Sequence, residues 1–163
     1  MINLFNPKTL SRHYSARTPL PDGDRIRLEE WAELRSGRIE RIKEMSLHGD
    51  FKASIIEAVL GYVSAVHSPD HTVTSEQAIL RGSVDLALGH FGADKSQIIA
   101  PLEFKGAKTR DLDAIMPGRA KSPVQQAWEY ATKAPGVKWV LVSNYVELRP
   151  YGFGEGTPGL REV

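Results

Sequence analysis

Apolar residues recur along this chain in two rhythms. In the first half they fall near the helical period, and from about residue 72 they alternate or run in short blocks. Trp31, Leu34, Ile39, Ile42 and Met45, with charges between them, predict a helix from Leu28 to Met45, weakened at Gly37. Asp50 is placed to cap a second helix, Phe51 to about Ala65. At about 100° per residue, Phe51, Ile55, Ile56, Val59, Leu60, Tyr62 and Val63 fill one apolar arc, and Glu57 lies at its edge. After Ser68-Pro69-Asp70 the pattern predicts three successive strands, Thr72–Leu80, Ser83–Phe91 and Gln97–Gly106, punctuated by Gly82 and by Gly92-Ala93-Asp94. Residues 107–121 read as a polar loop. Ser122-Pro123-Val124-Gln125 is a capping box with proline at the first helical position, opening a helix to about Ala134 that Pro135-Gly136 stops. Lys138–Ser143 and Val146–Tyr151 are two further strands.

The order is helix, three strands, helix, strand, strand. It predicts an α/β fold with a mixed central sheet flanked by helices. Residues 1–163 read as a single domain, with an irregular arm over 1–24, a core over 25–151 and a Gly- and Pro-rich tail over 152–163. No internal repeat is visible.

Composition narrows the classes. A chain of 163 residues with 41% hydrophobic and 25% charged positions is an ordinary globular domain. No apolar run is long enough to cross a membrane, and the first residues lack the layout of a signal peptide, so no membrane partner and a cytoplasmic location are expected. The absence of cysteine excludes disulfides, thiolate zinc sites and thiol catalysis. A net charge of +1 does not announce a nucleic-acid binder, but phosphate contacts depend on where charge sits rather than on its sum.

The chemistry concentrates in Pro101-Leu102-Glu103-Phe104-Lys105. Side chains alternate faces along a strand, so Glu103 and Lys105 share one face while Leu102 and Phe104 take the other. Buried charge is costly unless paired or bound to a metal. A second carboxylate, Asp85, sits in the preceding apolar strand, Ser83-Val84-Asp85-Leu86-Ala87-Leu88. Two acids and a lysine on adjacent strands are the residue types that metal-assisted phosphodiester hydrolysis uses. The cation polarises a phosphoryl oxygen and acidifies water, hard cations take carboxylate and carbonyl oxygen, and an ammonium offsets developing negative charge. Glu57 offers a third carboxylate, and the Phe104 backbone carbonyl a further ligand. Taken alone, Glu-x-Lys is equally an ordinary surface ion pair.

An aspartate, then Glu-x-Lys on the next strand, with helices before and after, resembles the PD-(D/E)XK nuclease superfamily over roughly residues 50–145. The resemblance implies a restriction-endonuclease-like core. It implies Asp85, Glu103 and Glu57 as carboxylates of a magnesium site that manganese also fills, with Lys105 as catalytic lysine. Gln126-x-x-x-Tyr130 is similar to a signature that orients the site and contacts DNA, though a glutamine and a tyrosine one turn apart on a packed helix carry the same spacing. The family's proline before the aspartate is replaced here by Val84. Trp139 to Tyr151 resembles the strand–turn–strand that closes the nuclease domain of type IIG restriction enzymes. That likeness implies a magnesium-dependent endonuclease domain of a restriction–modification enzyme. Its partners would be double-stranded DNA, methyltransferase and target-recognition domains beyond this chain, and a second copy for double-strand cleavage. S-adenosylmethionine would serve only the separate methyltransferase domain. Lys108, Arg110, Arg119 and Lys121 flank the site as candidate phosphate contacts. Two other readings stay open: a non-catalytic DNA-binding or scaffolding module of the same fold, and a stand-alone repair or junction nuclease.

Overall fold

Asp22 and Asp24 occupy the first turn of helix α1 (Asp22–Gly37) and Arg35 its last, matching charge to the helix dipole at both ends. In the protein, a computed structural model that describes residues 19–79 and 82–154 together with Lys8 and Ser11, this helix starts six residues earlier than expected and stops at Gly37. Met45, expected as its last apolar position, belongs to the next helix. Most of the expected arm, and the tail beyond Gly154, lie outside the described residues. No residue of α1 is fully buried; Trp31 and Leu34 are the ones that pack on the core.

A single turn, Ile39–Arg41, leads to helix α2 (Glu44–Phe51), which runs directly into a π-helical stretch, Lys52–Val59. Asp50 therefore lies inside a helix rather than at its cap. The π character shows in Leu60 N–H, which donates to the Ile55 carbonyl five residues back at 2.9 Å. The segment ends at Val59, short of the expected Ala65. Gly61, at φ 75°, supplies the left-handed turn that commonly follows a helix.

Five strands follow in one sheet: β1 (His71–Ile79), β2 (Gly82–Phe91), β3 (Ser96–Phe104), β4 (Trp139–Ser143) and β5 (Leu148–Gly152). Their spatial order is their chain order. All neighbours are antiparallel except β3 and β4, which are parallel and joined through helix α3 (Pro123–Lys133). The fold is thus mixed α/β, a five-stranded mixed sheet with flanking helices. Strand ends agree with the sequence reading to within about two residues, because alternation and glycine turns mark them. The capping box of α3 forms as expected. Ser122 Oγ accepts from Gln125 N at 3.2 Å, and Gln125 Oε1 accepts from Ser122 N at 2.9 Å.

Strand alternation divides the core in two. Leu86, Leu88, Leu102 and Phe104 pack with Leu47, Phe51 and Ile56 of α2 and its extension. Val140 and Val142 pack with Val124, Ala127 and Ala131 of α3 on the opposite face. Glu103, between Leu102 and Phe104, points to the α3 side. Pro101 is buried and pairs with Ala87. The register shift lies upstream of it, between Leu88 and Gly89, and a side chain at Gly89 would collide with the Gln97 carbonyl. Pairing with β4 begins at Leu102, so the proline nitrogen is not asked to donate there. Among the described residues no helix is long and apolar enough to cross a membrane.

Candidate active site

Three acids fall in one row across the sheet. The β2–β3 register pairs Leu86 with Leu102, and one step further sets Asp85 opposite Glu103. In the β1–β2 register, Ser75 faces Leu86 and Gln77 faces Val84, which sets Glu76 opposite Asp85. Glu76 is a non-glycine residue at φ 50°, an uncommon conformation inside a strand. Like charges directly across a ladder repel.

The row ends in a hydrogen-bonded hub at Glu103, which is 4% exposed. Its Oε1 accepts from Lys105 Nζ and, at 2.6 Å, from Gln126 Nε2 of α3. Gln126 Nε2 also donates to the Tyr130 hydroxyl at 2.8 Å, and Gln126 Oε1 accepts from Arg119 at 3.0 Å. Asp85 Oδ2 accepts from the Phe104 backbone N–H at 2.7 Å, locking the two strands together beside the site. The protein bonds on these carboxylates thus fall on Oε1 and Oδ2, one oxygen of each pair.

Burial drives the Glu103 pKa up to about 7; the Asp85 charge adds to the rise, and Lys105 and Arg119 oppose it. A carboxyl whose folded pKa exceeds its unfolded value costs nothing when protonated in both states. Above about pH 4.5 the unfolded chain ionises first, so the fold is progressively disfavoured until about pH 7 and the penalty is constant above it. We expect the metal-free protein to lose unfolding free energy relative to Glu103→Gln between pH 5 and 7. Urea titrations in EDTA at both values measure this, and parallel curves for the two proteins would refute it.

Helix α2 contributes residues that the sequence reading passed over. Glu44 Oε2 lies where a side chain on Gly106 would stand, 3.1 Å from that position, beside Lys105. His48 lies against the Phe104 ring at a centroid distance of 4.9 Å. Burial lowers its pKa, against the pull of Asp85, Glu76 and Glu44. Tyr145, in the β4–β5 turn, stacks on the same Phe104 ring at 4.8 Å. Glu57 pairs with Lys52 at 3.1 Å and lines an open groove of about 350 Å³ with Met45, His48 and Glu76. The acid of α2 that comes up against the end of β3 is Glu44, at Gly106. The sequence signal for it was present, an acid in the first turn of a helix, but a helix start assigned to Asp50 left it in the wrong element.

The four basic loop residues divide. Arg119 reaches the hub through Gln126, and Lys121 pairs with Glu129 of α3. Arg110, mostly exposed, pairs with Glu40, and Lys108 is exposed.

No family model, curated protein or solved structure matches the chain.

Among the described residues no group of three His, Asp or Glu side chains is arranged to hold a metal ion unaided. The donor set has the composition of a magnesium site all the same. Magnesium is commonly held by one or two carboxylates, with water and substrate phosphate completing the shell, rather than by an all-protein cage. Asp85 and Glu103, each bonded to the protein through one oxygen, are compatible with that pattern. What the structure shows of Phe104 here is its amide, which aims Asp85, and its ring, which carries His48 and Tyr145.

Proposed function

We propose that this chain is a magnesium-dependent DNA endonuclease domain with a restriction-endonuclease-like core, working in the cytoplasm as part of a restriction–modification enzyme. The observation that carries the reading is Glu103. It is a buried carboxylate opposite Asp85, held on one oxygen by both Lys105 and Gln126. An ordinary surface ion pair does not sit at 4% exposure, and a glutamine from a separate helix has no need to complete one. Sheet order supports the core assignment. The observed order of helix, three strands, helix and strand is the one the resemblance implies.

Asp85 and Glu103 would hold the cation, with Glu44 of α2 close by at Gly106. When bound, the cation supplies Lewis-acid polarisation of the phosphoryl oxygen. The protein's own groups do the rest. Lys105, 13% exposed at its side chain and tethered to Glu103, presents an ammonium that orients an attacking water and offsets negative charge on the phosphoryl group. Gln126, fixed by Arg119 and Tyr130, keeps Glu103 in place and so sets the angle at which the pair meets DNA. Lys108 and Arg110, exposed on the loop after β3, are placed for backbone phosphates of double-stranded DNA.

The test is cleavage of supercoiled plasmid by the purified chain with magnesium or manganese, alongside Lys105→Ala. The wild type should nick only with metal. Lys105→Ala should lose about 10²- to 10³-fold in rate, the usual worth of one preorganised donor aimed at developing charge, with manganese affinity largely retained. A wild type that shifts DNA without metal, binds no manganese and never nicks would instead describe a non-catalytic DNA-binding module. A methyltransferase encoded in the same reading frame would separate the restriction reading from a stand-alone repair nuclease.

A further inference from the structure

Of the basic residues on the loop before α3, Arg119 is held in a way that leaves its charge uncompensated. Pro117 and Gly118 take the central positions of a turn that the Arg119 N–H closes on the Met116 carbonyl at 3.0 Å. Gly118 holds φ at 73°, as the third residue of a type II turn does. A side chain there would meet nothing within 4 Å, so glycine serves the backbone and not the packing. Met116 N in turn donates to the Lys121 carbonyl at 3.2 Å. The loop is also pinned to the β4–β5 hairpin. Asn144 Nδ2 donates to the Thr109 carbonyl at 2.8 Å, and Arg149 pairs with Asp113 at 2.8 Å. Arg119 therefore projects from a fixed turn.

Its side chain ends a relay that runs from the buried hub to the surface. Glu103 is 4% exposed, Gln126 is half-buried and Arg119 is exposed. Both amine hydrogens of Gln126 are committed, one to Glu103 Oε1 at 2.6 Å and one to the Tyr130 hydroxyl at 2.8 Å. Arginine can only donate, so the Gln126 oxygen is the atom that faces it, and Arg119 Nη1 donates to that oxygen at 3.0 Å. One amide thus separates the guanidinium from the Glu103 carboxylate. The amide is neutral and holds the arginine without cancelling its charge. Arg110 and Lys121 pair with Glu40 and Glu129, whereas among the described residues Arg119 has no acid partner. A guanidinium carries five N–H donors, and Gln126 takes one of them. The others form a planar fork that matches two oxygens of a phosphate, which the point charge of an ammonium does not.

We propose that Arg119 is a substrate-binding residue of this centre, its remaining N–H groups gripping non-bridging oxygens of the DNA phosphate that enters beside Glu103. This rests on the reading of Asp85 and Glu103 as a DNA-cleaving centre. Gln126 then serves two sides at once. Its amine holds the carboxylate and its oxygen aims the arginine, so carboxylate and phosphate grip keep a set spacing.

Arg119→Ala and Arg119→Lys test this by binding of a short DNA duplex in EDTA across a range of salt concentrations, and by nicking of supercoiled plasmid in manganese. Arg119→Ala should bind the duplex about 10-fold more weakly, the loss of one hydrogen bond to a charged group. Its plot of log affinity against log salt should be flatter by about one phosphate contact. Arg119→Lys should restore the slope but not the full affinity, since it keeps the charge and loses the fork. At saturating DNA, nicking by Arg119→Ala should fall by about 10²-fold, the worth of one preorganised donor at the reacting group. A slope equal to that of the wild type would overturn the inference and leave Arg119 only the bracing of Gln126; wild-type nicking in the same experiment would keep the nuclease reading. A flatter slope with undiminished nicking at saturating DNA would put Arg119 on a distant phosphate and overturn its place at this centre. A flatter slope in a protein whose wild type never nicks would keep the phosphate contact and sink the nuclease reading. A wild type that binds no duplex would overturn the role of Arg119.

Discussion

Asp85→Asn is expected to reduce metal-dependent DNA cleavage by at least about 10³-fold while leaving the fold intact. The scale is that of removing a preorganised charge aimed at a transition state, where one donor is already worth about 10²- to 10³-fold. The substitution keeps an oxygen that can accept from the Phe104 N–H, so the bond between β2 and β3 survives. It removes only the charge. Two effects follow from that. On the proposed reading the cation would lose one of two anionic ligands, and Glu103 loses the neighbour whose charge adds to its pKa rise, so Glu103 should ionise at lower pH. Carbon-13 NMR titration of the labelled glutamate reads the second effect without any turnover. A variant that cleaves at near wild-type rate, or a Glu103 titration that does not move, would count against the site as drawn.

Phe104→Ala is expected to produce the largest loss of stability, about 3–5 kcal/mol, the range for deleting a fully buried aromatic ring. Phe104 is 1% exposed. Its ring meets those of His48, Phe51 and Tyr145, so its loss removes three aromatic contacts at once. A domain is held by only about 5–15 kcal/mol, so the variant should unfold at much lower urea concentration and, in the folded fraction, lose the platform beneath Tyr145. Urea unfolding followed by tryptophan fluorescence measures it. A cost below about 1 kcal/mol would show that the three rings do not form the rigid stack described. Leu86→Ala, in the same cluster and away from the rings, separates a general core penalty from loss of that stack.

Local chemistry decided what could be read from the chain. The strands and α3 were legible because their signals are short-range: period-two alternation, glycine turns, and a capping box that formed atom for atom at Ser122 and Gln125. Asp85, Glu103, Lys105 and Gln126 were legible because strand alternation and a helix turn place them with little help from tertiary structure. The helix before the sheet was not. Asp50 has the right chemistry for a cap, but Leu47 and Phe51 are both buried in the core, and burying them together draws the helix back to Glu44. Beyond Phe51 the backbone closes five-residue turns, so a face drawn at 100° per residue drifts, and the structure pairs Glu57 with Lys52. Tyr145 left no periodic trace, because a turn residue's surroundings come from Trp31, Phe51 and Phe104, distant in sequence.

The single parallel pair in the sheet also governs the order in which the molecule can assemble. β1, β2 and β3 meet through short turns, whereas β3 meets β4 only after the chain has run out through α3 and back. Loop-closure entropy falls hardest on that last pairing. Asp85 and Glu103 therefore come together early, while Gln126 and Tyr145 arrive with the second half. Until α3 and β4 dock, Glu103 is without the Gln126 bond that holds it. A chain nicked between 105 and 121 should keep the meander yet hold metal poorly until the two pieces reassociate.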